Sequence, residues 1–321
     1  MCGKTTPVAL LALAFAALPG CARVSLSEVQ SFGSAADSLA ESGLDAYGLL
    51  NEAATAQLIT DLSSLPPATP AEAAASWKRF DGVVIDGLVP AEKLESRMAL
   101  LAMLGNYGSA LGSLASADVA GELEEASSAY FSAVVSLNQS VADIAAMDPV
   151  ISKDTIKGVG QAISTVGGLA LEARQRKLVI QLVIDADPAV QAAAALVAKD
   201  LDPKADLAVS TDQLLANRIA LLKGVYFGEA AKMSVQDRAA FLEELADLTR
   251  ERQQVADLFT AASAAGAQLG AAHAALVASA QDKSLSSTEF IAALSKLTGT
   301  VATLTELSSA LRSSSTLTVG D

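Results

Sequence analysis

Residues 235–281 read VQDRAAFLEELADLTRERQQVADLFTAASAAGAQLGAAHAALVASAQ. Phe241, Leu245, Leu248, Arg252, Val255, Phe259, Ala262, Gly266, Leu269, His273, Leu276 and Ala280 recur there at alternating steps of four and three. That spacing lines one stripe of an α-helix and is the pattern of a heptad seam. A continuous helix over this stretch covers about 70 Å at 1.5 Å per residue, far more than an average globular helix, so an elongated molecule is expected. Phe290, Leu294, Leu297, Val301, Leu304, Ser308 and Leu311 repeat the rule. The short break around residues 282–285 is expected to fold this last helix back antiparallel as a hairpin. Tyr130, Val134, Leu137, Val141 and Ile144 bring the middle of the chain into the same bundle.

Outward from this seam, the helix boundaries are marked by their own chemistry. Ser25 to Glu28, Thr69 to Glu72 and Ser286 to Glu289 fit the capping box, in which a hydroxyl and a carboxylate satisfy opposite orphan amides. Breaks are expected at Leu65-Pro66-Pro67, Val89-Pro90, Asp148-Pro149, Asp187-Pro188 and Asp202-Pro203, because proline cannot continue a helix interior. The expected helices cover 25–64, 71–80, 91–116, 119–147, 153–184, 189–200, 204–231, 234–281 and 286–312. Val83-Val84-Ile85 and Leu178 to Ile184 are locally strand-like, but no segment alternates convincingly. Gly105, Ser109 and Ser113, and again Gly160, Ser164 and Gly168, recur every four residues and offer faces on which helices approach closely. The composition agrees: 51% of residues are hydrophobic but only 4% aromatic, so the apolar content is small and aliphatic. The fold class is all-α, an elongated antiparallel helical bundle of long Ala-rich, partly heptad-patterned helices over residues 25–321. If it divides into two subdomains, the division falls near 185–203.

The N-terminus carries a different message. Lys4 precedes an uncharged run from Val8 to Leu18, and Leu18-Pro19-Gly20-Cys21 closes it. A cationic start, an apolar stretch of export length and small residues at a cut site are the parts of a secretory signal, and the run is too short to span a bilayer. With cysteine following directly, this segment resembles a bacterial lipoprotein signal. The resemblance implies that residues 1–20 are removed, with Leu18 and Gly20 read at the cut. It also implies that Cys21 receives diacylglycerol and an acyl chain, and that residues 21–24 form a short tether. In a Gram-negative cell, Ala22 rather than Asp resembles the outer-membrane sorting class, which implies a body in the cell envelope facing the periplasm. Cys2 and Cys21 are the only cysteines, so the mature body could form no internal disulfide and no thiolate metal site.

Removal of the signal leaves about 300 residues, enough for a substantial core. The formal charge of −14, one unit more negative without Lys4, argues against nucleic acid and against anionic lipid as partners of the body. His273 is the lone histidine, on the inward stripe with no acidic residue within four positions, and reads as a packed or hydrogen-bonded core residue rather than a catalyst or metal ligand. Arg252 reaches solvent or pairs with an acidic neighbouring helix. Glu122, Glu124 and Glu125, and Glu243 with Glu244, read as solvated helix faces. Glu41-Ser42 matches only the first two residues of the lytic transglycosylase motif. Asn138-Gln139-Ser140 reads as a helix surface. Trp77 and Phe80, three residues apart, read as an aromatic pair that caps a core, and if exposed they would be a partner contact.

These readings lead to a membrane-anchored envelope lipoprotein acting as a non-enzymatic helical scaffold, spacer or adaptor. Its expected partners are membrane lipid, through acylated Cys21, and another envelope protein; no cofactor is expected. A second reading is a helical membrane-active protein, similar to pore-forming toxins, using the uncharged runs Gly158 to Leu171 and Thr260 to Gln281. A third is a carboxylate-dependent cell-wall hydrolase.

Overall fold

The computed structural model describes residues 25–64, 69, 91–152, 155, 171–281 and 287–315. Among them the extended regular elements are all α-helices: α1 (Leu26–Ser64), α2 (Ala91–Ser116), α3 (Ala120–Ala145), α4 (Leu171–Asp200), α5 (Asp206–Glu229), α6 (Val235–Gln281) and α7 (Ser287–Ser315). The all-α bundle expected from periodicity is therefore the fold. The expected helix over 71–80 and the capping boxes at Thr69 and Ser286 involve residues outside those described.

Local chemistry starts and stops the helices much as the sequence indicates. At α1 the Ser25 amide donates to Glu28 Oε2 at 2.7 Å and the Glu28 amide donates to Ser25 Oγ at 3.2 Å, a complete capping box. The start of α6 repeats that reciprocity with an aspartate: Ser234 N to Asp237 Oδ2 at 3.2 Å and Asp237 N to Ser234 Oγ at 3.1 Å. A search for Glu or Gln at the third position passes over it. α3 has no side-chain cap at its N-cap Val119, and Glu122 instead accepts from the Asp118 amide one residue earlier, at 2.9 Å. It ends on Ala146 in the left-handed region, φ 50°, ψ 47°, where the Met147 amide closes on the Ala142 carbonyl at 3.0 Å.

The break expected at Asp187-Pro188 is absent, because α4 runs unbroken from Leu171 to Asp200 with Pro188 inside it. Proline removes the bond to the carbonyl four residues back. Here its ring sits on the solvent side while Ala186, Ala189 and Val190 are fully buried. The freed carbonyl can tilt toward water, and packing of the inner face holds the helix together. Leu178 to Ile184, locally strand-like in sequence, lie within this helix.

α1 packs along α2, α2 on α3, and α4 joins α2 and α3 to α6; α7 bridges α6 back to α1, closing the bundle around one apolar core from Val29 to Leu311. The direction of each pairing follows from the contacts. Gly33 faces Gly108 and Gly112 while Gly43 faces Leu101, so α1 and α2 run antiparallel. Gln191 donates to the Gly270 carbonyl and Ser263 to the Ala198 carbonyl, so α4 and α6 do likewise. Gln175 reaches the Leu114 and Ala117 carbonyls at the end of the bundle where α1 begins. Tyr47, Arg97 and Asp200 meet at the other end, where α5 departs.

Two details differ from expectation. The tight contact on α2 uses Gly105, Gly108 and Gly112, while Ser109 and Ser113 face solvent, because steps of three and four follow a helical seam whereas strict steps of four drift off it. Asn138 is not on a helix surface: it is buried, and its amide spans the Ile151 backbone, Ile151 N to Oδ1 at 2.9 Å and Nδ2 to Ile151 O at 3.1 Å. This pins the chain that leaves α3, and only its position opposite Ile151 makes it inward-facing.

Candidate functional site

Leu18, Gly20 and Cys21, and the aromatic pair Trp77 and Phe80, lie outside the described residues. So does most of the run Gly158 to Leu171. The run Thr260 to Gln281 forms the second half of α6, with Ala261, Ala262, Ala265, Leu269, Ala272, Leu276 and Val277 in the core. Two other helical stretches, Leu94–Ser116 and Leu171–Asp200, are long and apolar enough to cross a membrane; each has about half of its most apolar window buried against other helices.

His273 is fully buried and hydrogen-bonded at both ring nitrogens, Nδ1 to Asp187 Oδ1 at 2.9 Å and Nε2 to the Tyr107 hydroxyl at 2.8 Å. Asp187 is held in turn by Gln191, whose Nε2 lies 3.2 Å from the same Oδ1 and 2.9 Å from the Gly270 carbonyl. Phe32 and Tyr107 lie against the imidazole as tilted rings, Tyr130 is tilted against Tyr107, and the Tyr130 hydroxyl donates to the Leu182 carbonyl at 2.8 Å. Five helices meet at this point. Sequence reading placed His273 in the core but missed Asp187, because its separation of 86 residues leaves no local signal.

The electrostatics assign the protons. Burial pushes the His273 pKa below its ordinary value, against the opposing pull of Asp187. The hydrogen bond from His273 and that from Gln191 hold the Asp187 carboxyl below the usual carboxylate range, although its partial burial works the other way. The consistent arrangement is a neutral imidazole donating Nδ1–H to a carboxylate and accepting the Tyr107 proton at Nε2. This connectivity could activate a hydroxyl, but Tyr107 is itself fully buried and burial raises its pKa well above the ordinary range. The network orients and satisfies core groups, and its Tyr107 hydroxyl is buried among them.

Other polar contacts tie helices to one another. Tyr47 and Arg97 both bond Asp200 Oδ2, at 2.6 and 2.5 Å. Ser42 meets Thr305 at 3.0 Å, and Asp45 accepts from Ser308 and from Arg312. Arg252 pairs with Asp212 on α5 through two bonds of 2.6 and 2.8 Å, the pairing with an acidic neighbour that the seam position anticipated. Glu122, Glu124, Glu125, Glu243 and Glu244 are exposed, as is Glu41. Among the described residues no group of three His, Cys, Asp or Glu side chains could hold a metal ion. A trough between α6 and α7, with Ala261, Ala264, Gly299 and Leu307 on its walls and Asp257 and Lys296 at its edges, is open to solvent.

The feature that looks outward is the arm made by α5 and the first half of α6. α5 packs on α1 and puts Leu207, Ala208 and Leu215 into the main core before running past it, and α6 lies antiparallel to α5, as Asp212–Arg252 and Tyr226–Phe241 show. The arm carries its own small core of Ile219, Leu245 and Leu248, with Leu222 and Phe241 packed against it. At its apex the polar groups satisfy one another: Lys232 pairs with Glu229 at 2.7 Å, Ser234 caps with Asp237, and Arg238 donates to the Ala230 and Met233 carbonyls at 3.2 and 2.9 Å. Beside these polar groups two large apolar side chains stand exposed, Phe227 at 81% and Val235 at 72%. Sequence reading passed over this pair because Phe227 and Val235 are off the seam and nothing local says whether a third helix covers them.

Comparison with protein-family models, with curated proteins and with solved structures finds no match, so the reading of these sites rests on this chain's own residues.

Proposed function

We propose that this chain is a lipid-anchored envelope protein that works as a non-enzymatic helical scaffold or spacer, holding a protein contact away from the membrane to which Cys21 ties it. The observation that carries this reading is the arm. Its exposed aromatic and aliphatic side chains stand on a hairpin with a small apolar core of its own, which suits protein contact rather than turnover. The pairings support the geometry: Ser25, Ala117 and Gln175 share one end of the bundle, and the arm departs from the end at Asp200. A tether four residues before Ser25 would then present the arm away from the lipid surface. α6 alone covers about 70 Å at 1.5 Å per residue, which gives such a spacer its reach.

The test is metabolic labelling with a clickable fatty acid in the native cell, comparing the native chain with Cys21→Ser. Label in the native chain, lost with its membrane fractionation in Cys21→Ser, is the expected result. A native chain without label would overturn the anchor, and measurable turnover by the purified protein that survives dilution would overturn the scaffold.

A further inference from the structure

The buried network around His273 has two complete hydrogen-bonding arrangements on one set of atom positions. We propose that it is a proton switch: when His273 takes up a proton, the Tyr107 hydroxyl turns from the imidazole to Tyr130. This goes beyond the scaffold reading and rests on neither the lipid anchor nor the arm.

Counting donors gives the two states. Asp187 Oδ1 lies 2.9 Å from Nδ1 of the buried imidazole and the Tyr107 oxygen 2.8 Å from Nε2. A carboxylate only accepts, so Nδ1 carries a proton in either state, and a neutral imidazole leaves Nε2 as an acceptor. Tyr107 has one proton, and in this state Nε2 receives it. Tyr130 gives its own to the Leu182 carbonyl at 2.8 Å. The Tyr107 and Tyr130 rings lie 5.4 Å apart and their hydroxyls are hydrogen-bonding neighbours, so toward Tyr107 the Tyr130 oxygen is an acceptor. With neutral His273 that acceptor goes unused, because Tyr107 has no second proton. Uptake of a proton from solvent at Nε2 reverses one link. Nε2–H then donates to the Tyr107 oxygen, Tyr107 turns its hydrogen about the C–O bond to Tyr130, and Tyr130 keeps Leu182. The result is one directional chain from α6 through α2 and α3 to α4. No heavy atom has to move and no buried polar group loses its partner, so the main cost of charging a buried side chain without partners is avoided.

The charges around the imidazole suit this exchange. Among the described residues, Asp187 on α4 is the charged group that acts on it. Hydrogen bonds from His273 and Gln191 hold the Asp187 carboxyl below the usual carboxylate range, so it stays ionised while His273 titrates and meets the new cation as an ion pair. Its side chain is 32% exposed, which keeps half of that pair in contact with water. Asp185, also on α4, acts on Tyr130 instead. α1 sets the uncharged Phe32 against the ring, while its Glu28 is engaged in the capping box and its Asp37 lies against Gly105 of α2. Asp212 of α5 is paired with Arg252, about 30 Å before His273 along α6, and Lys296 of α7 stands at the edge of the solvent-open trough. Burial of the ring places the exchange below the ordinary histidine value of 6.5. The consequence is a bundle whose centre passes in acid from one closed set of hydrogen bonds to another instead of opening.

His273 is the chain's one histidine, so its imidazole signals are unambiguous. The experiment is nitrogen NMR of isotope-labelled histidine in the full chain with Cys21→Ser, purified without a histidine tag and titrated from about pH 7.5 to about 4.5. The expected native result is Nε2 as an acceptor nitrogen near neutral pH and reversibly protonated in acid, with helix content unchanged by circular dichroism. Tyr130→Phe removes an acceptor that only the protonated state uses, and it should lower the His273 pKa by about one unit although Tyr130 does not bond the imidazole. Tyr107→Phe should lower it as well, because an unpaired cationic N–H is costlier than an unpaired neutral acceptor. Adding Tyr130→Phe to Tyr107→Phe should shift it no further, since Tyr130 acts only through Tyr107. A native bundle that unfolds in step with protonation of His273 would overturn the proposal without recourse to any variant. So would a His273 pKa unmoved by Tyr130→Phe, or a shift of the same size when Tyr107 is already phenylalanine. Failure of the fatty-acid labelling would leave these results untouched, since no residue of the network takes part in that test.

Discussion

Gly108→Ala is the sharpest probe of how the bundle is held together, because it adds a single methyl where two helix backbones nearly touch. A Cβ at Gly108 would stand 2.5 Å from the Gly33 carbonyl oxygen, 2.8 Å from the Ala36 Cβ and 3.1 Å from the Asp37 amide. The nearest neighbour is backbone and cannot rotate away, so α1 and α2 must part by about 1 Å to regain ordinary contact near 3.5 Å. A gap of that size forfeits a quarter to a half of each dispersion contact along the interface, and overpacking of this kind costs about 1–3 kcal/mol or somewhat more. Against it stands the helix preference of alanine over glycine, about 1 kcal/mol. The net expectation is a loss of about 1 kcal/mol. Gly299→Ala in α7 is the control, because nothing lies within 4 Å of its added methyl, and it should gain about 1 kcal/mol. Urea unfolding followed by circular dichroism measures both, and the two variants should differ by about 2 kcal/mol. If Gly108→Ala raises the midpoint as Gly299→Ala does, the close approach of α1 and α2 does not govern stability and the reasoning fails.

The other predictions test the buried network, one helix end and one surface pair. Burial holds the His273 pKa below its ordinary 6.5, so the unfolded chain takes up this proton first as the pH falls. Its contribution should be complete above pH 6.5, decline as pH drops toward the folded-state value, and level off below it. Thermal midpoints across that window should show the decline in the native chain and lose that step in His273→Gln. Tyr107→Phe removes the donor to Nε2 and leaves a buried acceptor unpaired, for which about 1–3 kcal/mol of destabilisation is expected in urea titrations. Ala146→Gly should stabilise by about 1 kcal/mol, because only the alanine carries a Cβ penalty in the left-handed region; a lower urea midpoint would contradict it. Arg252→Gln should cost less than about 1 kcal/mol despite its two hydrogen bonds to Asp212, since both side chains remain over two-fifths exposed; a double-mutant cycle with Asp212→Asn reads the coupling.

What the sequence by itself determined was whatever depends on neighbours along the chain. The seam from Leu245 to Leu276 is buried at Val255, Phe259, Ala262, Gly266, Leu269 and His273, because a step of three or four residues on a helix is a spatial neighbour whatever the rest of the fold does. The capping box at Ser25 is local in the same sense, and the heptad rule even put Arg252 where an acidic residue of the next helix could reach it. Tertiary structure alone decided the rest. It carried α4 through Pro188, because packing of Ala186, Ala189 and Val190 outweighs one lost hydrogen bond. It joined Asp187 and Tyr107 to His273 and turned Asn138 inward, since these partners belong to other helices or to the linker and no periodicity encodes them. It also left Phe227, Val235 and Leu242 in solvent. Whether a residue off the seam is covered depends on how many helices surround it, and a helix's own sequence records its apolar stripe but not its number of neighbours.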